Sequence, residues 1–327
     1  MRQQGATSLQ IPIYQPTPSY LPNCILVNRS TNNWALDSKL ITAFLSCLQS
    51  VVVSVTLGCM SELIMLGTGN AAVTRCYNTC FAIRNGNEVF LVDGGGGNGI
   101  LSQLEKAGIA LGAIHDIFLT HTHTDHIFGL VWVVRMIAQA MNAGKYSGVL
   151  HVYGHAEGLQ ALEAICRATL PGKVCAHLHQ DIILQPLADG ECFTAAGMTG
   201  QAFDIGSTKA KQFGFALQLP EGGRLCCLGD EPYNERAAVY ASGADWLLCE
   251  AFCLYADRER FKPYEKHHST ALDAGRLAAG LAVKNLLLYH TEDKTLASRR
   301  ATYTAEATQH YQGRVHVPDD LEVLAFS

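Results

Sequence analysis

The sequence predicts an α/β protein, a four-layer αββα sandwich built as a single domain. Three observations carry this expectation: short apolar runs alternate with helix-spaced segments from residue 60 onward, the runs gather in two sets, and turn signals rather than linkers separate them. Residues 60–66 are an apolar run closed by Gly67-Thr68-Gly69-Asn70, a strand entering a tight turn. Residues 78–83 and 88–92 flank Arg84-Asn85-Gly86-Asn87, whose Asn-Gly pair is a strong hairpin signal. Asp93 ends the second of these runs before four glycines, Gly94 to Gly97. Residues 100–107 have helical spacing with Gly108 as C-cap, and residues 114–120 return to a strand. A long apolar helix pattern covers 130–143, followed by a strand at 149–153 and a helix at 156–170. Farther on, residues 213–219 and 224–228 form a hairpin around Pro220-Glu221-Gly222-Gly223. A helix at 234–242, a strand at 246–250, a helix at 271–280 and a strand at 285–289 complete the alternation.

Composition bounds the chain. Of 327 residues, 48% are hydrophobic and 16% charged, enough for a large core and too few charges for a disordered chain. All 13 histidines lie beyond residue 60, whereas Pro12, Pro16, Pro18 and Pro22 crowd the first 22 residues. Residues 1–59 therefore read as an N-terminal extension, disordered or partly helical, and residues 60–327 as the folded domain. Residues 40–60 carry no charge over a length that reaches across a bilayer. Thr42, Ser46, Gln49, Ser50, Ser54 and Thr56 interrupt them, and Lys39 is the only nearby base. The expectation is an appendage translated from an early start, with a membrane anchor as the alternative. The 12 cysteines include no C-x-x-C pair, which excludes a zinc ribbon and fits buried thiols in a reducing compartment, so the expected location is the cytoplasm. Residues 60–327 hold 21 basic and 28 acidic residues, which gives long nucleic acid no electrostatic footprint.

Residues 120–126 read Thr-His-Thr-His-Thr-Asp-His directly after an apolar strand, so His121, His123, Asp125 and His126 place four metal-capable side chains in six residues. Imidazole and carboxylate suit zinc, iron or manganese. Side chains alternate along an extended chain, so His121 and His123 point the same way, and the loop that follows can fold Asp125 and His126 toward a second ion. A histidine-rich turn without metal is the competing reading; it loses because buried unpaired polar groups are costly. Asp230 and His290 end later apolar strands, where capping and ligation are equally open. The four glycines lack the Lys-Ser/Thr of a phosphate loop and read as a tight turn allowing close backbone approach.

This H-x-H-x-D-H cluster, with Asp93 closing a strand upstream and Asp230 and His290 closing strands downstream, resembles the metallo-β-lactamase fold superfamily over nearly all of residues 60–327. Within it the chain is most similar to the ribonuclease Z-like branch. Leu66-Gly67-Thr68-Gly69, Tyr153-Gly154 and His268-Ser269-Thr270 resemble that branch's opening turn, Gly-Pro motif and His-Ser-Thr motif. By position, the resemblance implies His121 and His123 on one metal, Asp125, His126 and His290 on the other, Asp230 bridging, and Asp93 orienting the cluster. One or two ions are implied, Zn2+ first, with Mn2+ or Fe compatible. A further family ligand, a histidine six residues before a Gly-aromatic pair, falls on Thr208, so the first ion loses a nitrogen donor. Glu250 and His268 would form the carboxylate–imidazole pair that protonates a leaving oxygen.

Members that trim tRNA carry a Pro-x-Lys-x-Arg-Asn loop; residues 73–78 keep only Asn78, with Arg75 as a basic substitute. Their His-Glu-Ala-Thr motif appears as Cys249-Glu250-Ala251-Phe252, and no segment resembles the tRNA-gripping arm. With an acidic domain, these departures favour a small substrate. Asn78, His155, Thr208, Lys209 and Lys211 are the candidate substrate contacts. The expected activity is metal-dependent hydrolysis by a phosphodiesterase acting on a small nucleotide or short RNA, with Asp125 holding or deprotonating the water. The alternatives are a hydrolase of a lactone, thioester or other acyl substrate, and a non-enzymatic metal-binding or ligand-sensing protein. The expected partner is the small-molecule or short-nucleotide substrate; no membrane is expected unless residues 40–60 anchor the chain, and a homodimer is compatible with the sequence.

Overall fold

The computed structural model describes residues 60–326. The first half runs β1 (Glu62–Gly67), β2 (Cys80–Asn85), β3 (Glu88–Val92), α1 (Gly99–Lys106), β4 (Ile114–Leu119), α2 (Thr124–Asn142), β5 (Leu150–Gly154), α3 (Ala156–Thr169), α4 (Gly172–Cys175) and β6 (Ile182–Pro186). The second runs β7 (Cys192–Ala195), β8 (Met198–Asp204), β9 (Phe213–Gln218), β10 (Arg224–Cys227), α5 (Ala238–Ala241), β11 (Trp246–Glu250), α6 (Arg258–Phe261), α7 (Ala271–Gly280), β12 (Asn285–Tyr289), α8 (Leu296–Ala307), β13 (Arg314–His316) and β14 (Glu322–Ala325). Two seven-stranded sheets result, ordered β14-β1-β2-β3-β4-β5-β6 and β13-β12-β11-β10-β9-β8-β7. This is the predicted αββα sandwich.

The central strands read as unbroken apolar runs because both faces of each sheet are covered there. Along β1, Leu63 and Met65 face the other sheet, whereas Ile64 and Leu66 face the helices. Between the sheets, Phe90 and Phe118 of the first meet Phe193 and Phe215 of the second, with ring centroids 5.0–6.0 Å apart. Such aromatic pairs contribute about 0.5–1.5 kcal/mol each beyond the apolar area they bury. Parallel pairing of β3 with β4, of β10 with β11 and of β11 with β12 brings the C-terminal ends of these strands to one edge. Ligand sites in α/β sheets form at such edges.

Two glycines set the spacing there. Gly94 follows β3 and Gly129 lies on α2, so close that a Cβ on Gly129 would stand 1.7 Å from the Gly94 carbonyl oxygen. The Gly94 amide donates to the His126 carbonyl at 2.9 Å and the Gly129 amide to the Gly95 carbonyl at 2.8 Å. The glycine run is thus a seat for the first turns of α2, as its composition predicts.

A buried guanidinium clasps the same edge. Arg299 of α8, 1% exposed, donates to the hydroxyls of Thr68 and Thr291 (both 2.9 Å), the Pro318 carbonyl (2.7 Å) and Asp319 Oδ1 (3.0 Å). Asp320 in turn accepts from the Thr68 amide and hydroxyl and from the Tyr77 amide.

Several expectations need correction. Helix α2 begins at Thr124 rather than residue 130, so Asp125 and His126 sit on its first turn and not in a loop. The segment 234–242 is a 3-10 turn, Glu235–Ala237, running into the single turn of α5. The first hairpin turns on Gly86 and Asn87, with Asn85 paired to Glu88. Elements β6–β8, β13, β14, α4, α6 and α8 carry no periodic apolar signal; α8 buries Arg299 and Glu306 beside Tyr303 and Ala307, so its inner face does not look apolar. Residues 1–59, and with them nearly all of the uncharged stretch, lie outside the described residues. Among the described residues no helix is long and apolar enough to cross a membrane, and their nine cysteines are free thiols.

Replacing Gly129 with alanine adds a good helix former but forces the α2 backbone off its seat. The expected loss is about 3 kcal/mol, read as a lower urea midpoint. An unchanged or higher midpoint would refute the close-approach argument.

Candidate metal centre

Asp93 is the base of the site. Its backbone is left-handed, φ 57°, which turns the carboxylate back under the strand ends. Asp93 Oδ1 accepts from the Thr120 amide (2.8 Å), and Oδ2 accepts from the Thr120 hydroxyl (2.7 Å) and faces His126 Nδ1 (2.7 Å). Because the Thr120 hydroxyl donates to Asp93, it can only accept from His121 Nδ1, 2.9 Å away. Both imidazoles are therefore anchored through Nδ1 and present Nε2, the atom through which such an anchored histidine binds a metal.

Those Nε2 atoms converge on Asp230, which follows β10 and is 2% exposed. Asp230 Oδ2 lies 3.6 Å from His121 Nε2, 3.5 Å from His126 Nε2 and 3.4 Å from His290 Nε2. Asp125 Oδ2 lies 3.5 Å from His126 Nε2 and 3.4 Å from His290 Nε2. His290, just past β12, is also left-handed, φ 57°, so its ring bends in over the edge. Metal–ligand bonds of about 2.0–2.2 Å in a tetrahedral shell put neighbouring donors about 3.3–3.6 Å apart. The spacing around Asp230 and Asp125 fits an ion, and His126 Nε2 is buried without a hydrogen-bond partner. The donors group as His121, His123 and Asp230, and as Asp125, His126 and His290. Burial alone would raise both aspartates; the neighbouring imidazoles outweigh it and hold Asp125 and Asp230 below the usual carboxylate range.

Glu250, at the end of β11, is fully buried, and burial pushes its carboxyl well above the usual range. It accepts from the Ser269 amide, and its Oε2 lies 3.7 Å from His268 Nδ1. Burial, then the charge of His290, pushes His268 down to about 3. Above these groups opens a cavity of about 530 Å³, walled by Asn70, Ala71, Ala72, Lys209, Phe252, Lys266 and His268 over His123, Asp125, Asp230 and His290.

A protein-family profile described as "Anti-Pycsar protein Apyc1" matches residues 61–309. The chain belongs to the Apyc1 family. Among curated relatives of this Apyc1-family chain, a ribonuclease Z from Nocardia farcinica is 29% identical, covering 80% of the chain and 96% of the relative. One from Pyrococcus furiosus is 42% identical over 96 residues, 29% of each chain. Among solved structures, the metallo-β-lactamase fold protein YhfI from Bacillus subtilis has a TM-score of 0.63 at 18% identity, covering 81% of this chain and 98% of its own. The short form of human tRNase Z has a TM-score of 0.60 at 23% identity, with the same coverage. The metallo-β-lactamase fold and the ribonuclease Z likeness both hold.

Within this Apyc1-family chain, His121, His123, Asp125, His126, Asp230 and His290 come together, and Asp93 stands beneath them. Of the candidate substrate contacts, Lys209 lines the cavity. The others are placed differently. His155 is buried and caps α3, its Nδ1 accepting from the Gly158 amide at 3.1 Å. Lys211 lies over the Phe213 ring beside Asp204. Asn78 donates to the Asn70 carbonyl at 2.8 Å and so braces the cavity wall from behind. Thr208 is exposed, 3.1 Å from His267 Nδ1, and is in neither donor group. Sequence reasoning missed Gln212, 0% exposed, which donates to Asp230 Oδ1 and accepts from the Asp230 amide at 2.9 Å. Nothing in its neighbourhood marks it beforehand. Phe252 and Lys266 were equally hidden, because a site wall follows the path of the backbone rather than a motif.

The depressed His268 fixes a pH dependence for the metal-free protein. From pH about 6.5 down to about 3 the unfolded chain carries a proton that native His268 refuses, so stability falls as pH falls, by up to about 1.4 kcal/mol per unit. His268→Gln is expected to flatten urea-unfolding stability against pH by about one proton in that window. An identical slope would show that His268 takes up its proton normally.

Proposed function

We propose that this chain is a metal-dependent phosphodiesterase whose substrate is a small nucleotide or short RNA. The observation that carries the reading is the cavity of about 530 Å³ over two adjoining His/Asp donor groups. Its size is that of a small-molecule site. The relatives named ribonuclease Z support phosphodiester chemistry. The acidic domain argues against a long polyanion.

His121, His123 and Asp230 would hold one ion and Asp125, His126 and His290 a second, Asp230 lying between them; Zn2+ suits these donors, and Mn2+ or Fe accepts the same set. When bound, the ions supply Lewis acidity that lowers the pKa of a water toward neutrality and offsets charge on the phosphoryl oxygens. Asp125, held ionised, would accept a hydrogen bond from that water, and so hold or deprotonate it for attack. Asp93 and Thr120 keep the imidazoles aimed, and Gln212 fixes the Asp230 carboxylate. Glu250, protonated by burial, carries the proton that passes through His268 to the leaving oxygen.

Bis-p-nitrophenyl phosphate tested against a panel of lactones and thioesters checks the reading. Hydrolysis of the phosphodiester is expected, with loss on chelation and recovery with added Zn2+ or Mn2+. Turnover of acyl substrates alone would establish the acyl-hydrolase alternative, and no metal with no turnover the non-enzymatic one. Asp125→Ala should lower the rate by about 10²–10⁴-fold with an unchanged circular dichroism spectrum. An unchanged rate would remove Asp125 from its role.

A further inference from the structure

Two lysines face the cavity from opposite loops, and each is fixed by its own local structure. Lys266 ends the 3-10 turn Tyr264–Lys266, bracketed by the left-handed residues Lys262 (φ 52°) and His267 (φ 56°). The turn is closed by amide bonds from His267 to Tyr264 and from His268 to Pro263. The Lys266 ammonium rests 5.0 Å from the centre of the Phe252 ring. The same ring stacks on His268, with centroids 4.8 Å apart and planes 15° off parallel. Phe252 is thus a shelf between a cation and the imidazole beside the donor groups. It stands where the ribonuclease Z motif has threonine, a side chain with no aromatic face for either neighbour.

Lys209 approaches from the loop between β8 and β9. Its Nζ lies 4.0 Å from Glu231 Oε1, a loose pairing, while that carboxylate oxygen accepts from the Ser207 hydroxyl at 2.6 Å. Asp125 and Asp230 face the donor groups, so two divalent ions held there would offset these carboxylates and leave the cavity lining positive at the two lysines.

We propose that Lys209 and Lys266, the latter seated on Phe252, form an anion clamp beside His268 that holds a phosphate-type group of the substrate. Cation–π contact keeps the Lys266 ammonium over the cavity without neutralising it, so the charge is available to a ligand. As compact charges on flexible stems, lysines suit tetrahedral oxyanions whose orientation changes during a reaction. This deepens the phosphodiesterase reading by naming what selects an anionic substrate.

The test uses inorganic phosphate as probe on the full chain loaded with Zn2+, by titration calorimetry and by competition against bis-p-nitrophenyl phosphate. Lys209→Ala and Lys266→Ala should each weaken phosphate binding and raise KM roughly fivefold, and the double variant roughly 25-fold, a range set by partly exposed charges. The kcat values should stay within about twofold, since neither lysine transfers a proton. Lys266→Arg should restore binding, and Phe252→Thr should weaken it as Lys266→Ala does, whereas Phe252→Tyr should not. A double variant that binds phosphate like the parent, with equal metal content and melting temperature, overturns the clamp. Calorimetry does not depend on which bond is cut. Lysine-dependent phosphate binding without phosphodiester turnover would therefore sink the proposed reaction and leave the clamp standing.

Discussion

A single carboxylate oxygen holds the centre together. Asp230 Oδ2 is within 3.6 Å of Nε2 atoms from three histidines, carried by the segment after β4, the first turn of α2 and the end of β12. The two sheets pack through apolar rings that would tolerate small slips. At their shared edge, a slip of even an ångström would leave buried imidazoles and carboxylates facing nothing, at several kcal/mol per uncompensated charge. The edge geometry is therefore far less tolerant than the core that supports it.

The fold and the floor of the site were readable because each rests on a short-range rule. Strands β11 and β12 and helix α7 were legible to the residue, since continuous apolar runs mark the strands and helical spacing the helix, which the structure closes with a Thr270–Asp273 capping box. The His121–His126 cluster was legible because no structural reason puts four metal-capable side chains in six residues. What escaped were features decided by tertiary contact. Helix α8 is held by a buried arginine and a buried glutamate, so its inner face reads as polar. Gln212 and Phe252 are ordinary residues until the chain path lays them against Asp230 and His268. His155 misled in the opposite direction, since adjacency in sequence to the site edge became a helix cap.

Two of the departures from the motifs of tRNA-trimming proteins bear on the donor groups and the wall beside them. At Thr208 a nitrogen donor is absent, and the first donor group has His121, His123 and Asp230. At Phe252 an aromatic ring stacks on His268. Thr208 thus stands apart from the donors, whereas Phe252 ties the cavity wall to His268.

The Arg299 clasp carries a consequence for how the chain reaches its native state. Thr68 belongs to the first turn of the domain, yet the groups that secure it, Arg299 and Asp320, lie 231 and 252 residues farther along the sequence, and β1 finds its outer neighbour only in β14. The opening turn and its cavity wall therefore rest on contacts of very high sequence separation, whose loop-closure entropy must be met before they add any stability. The loop over the metal donors is held in place by side chains from the last helix and the approach to the last strand of the fold, remote from it in sequence.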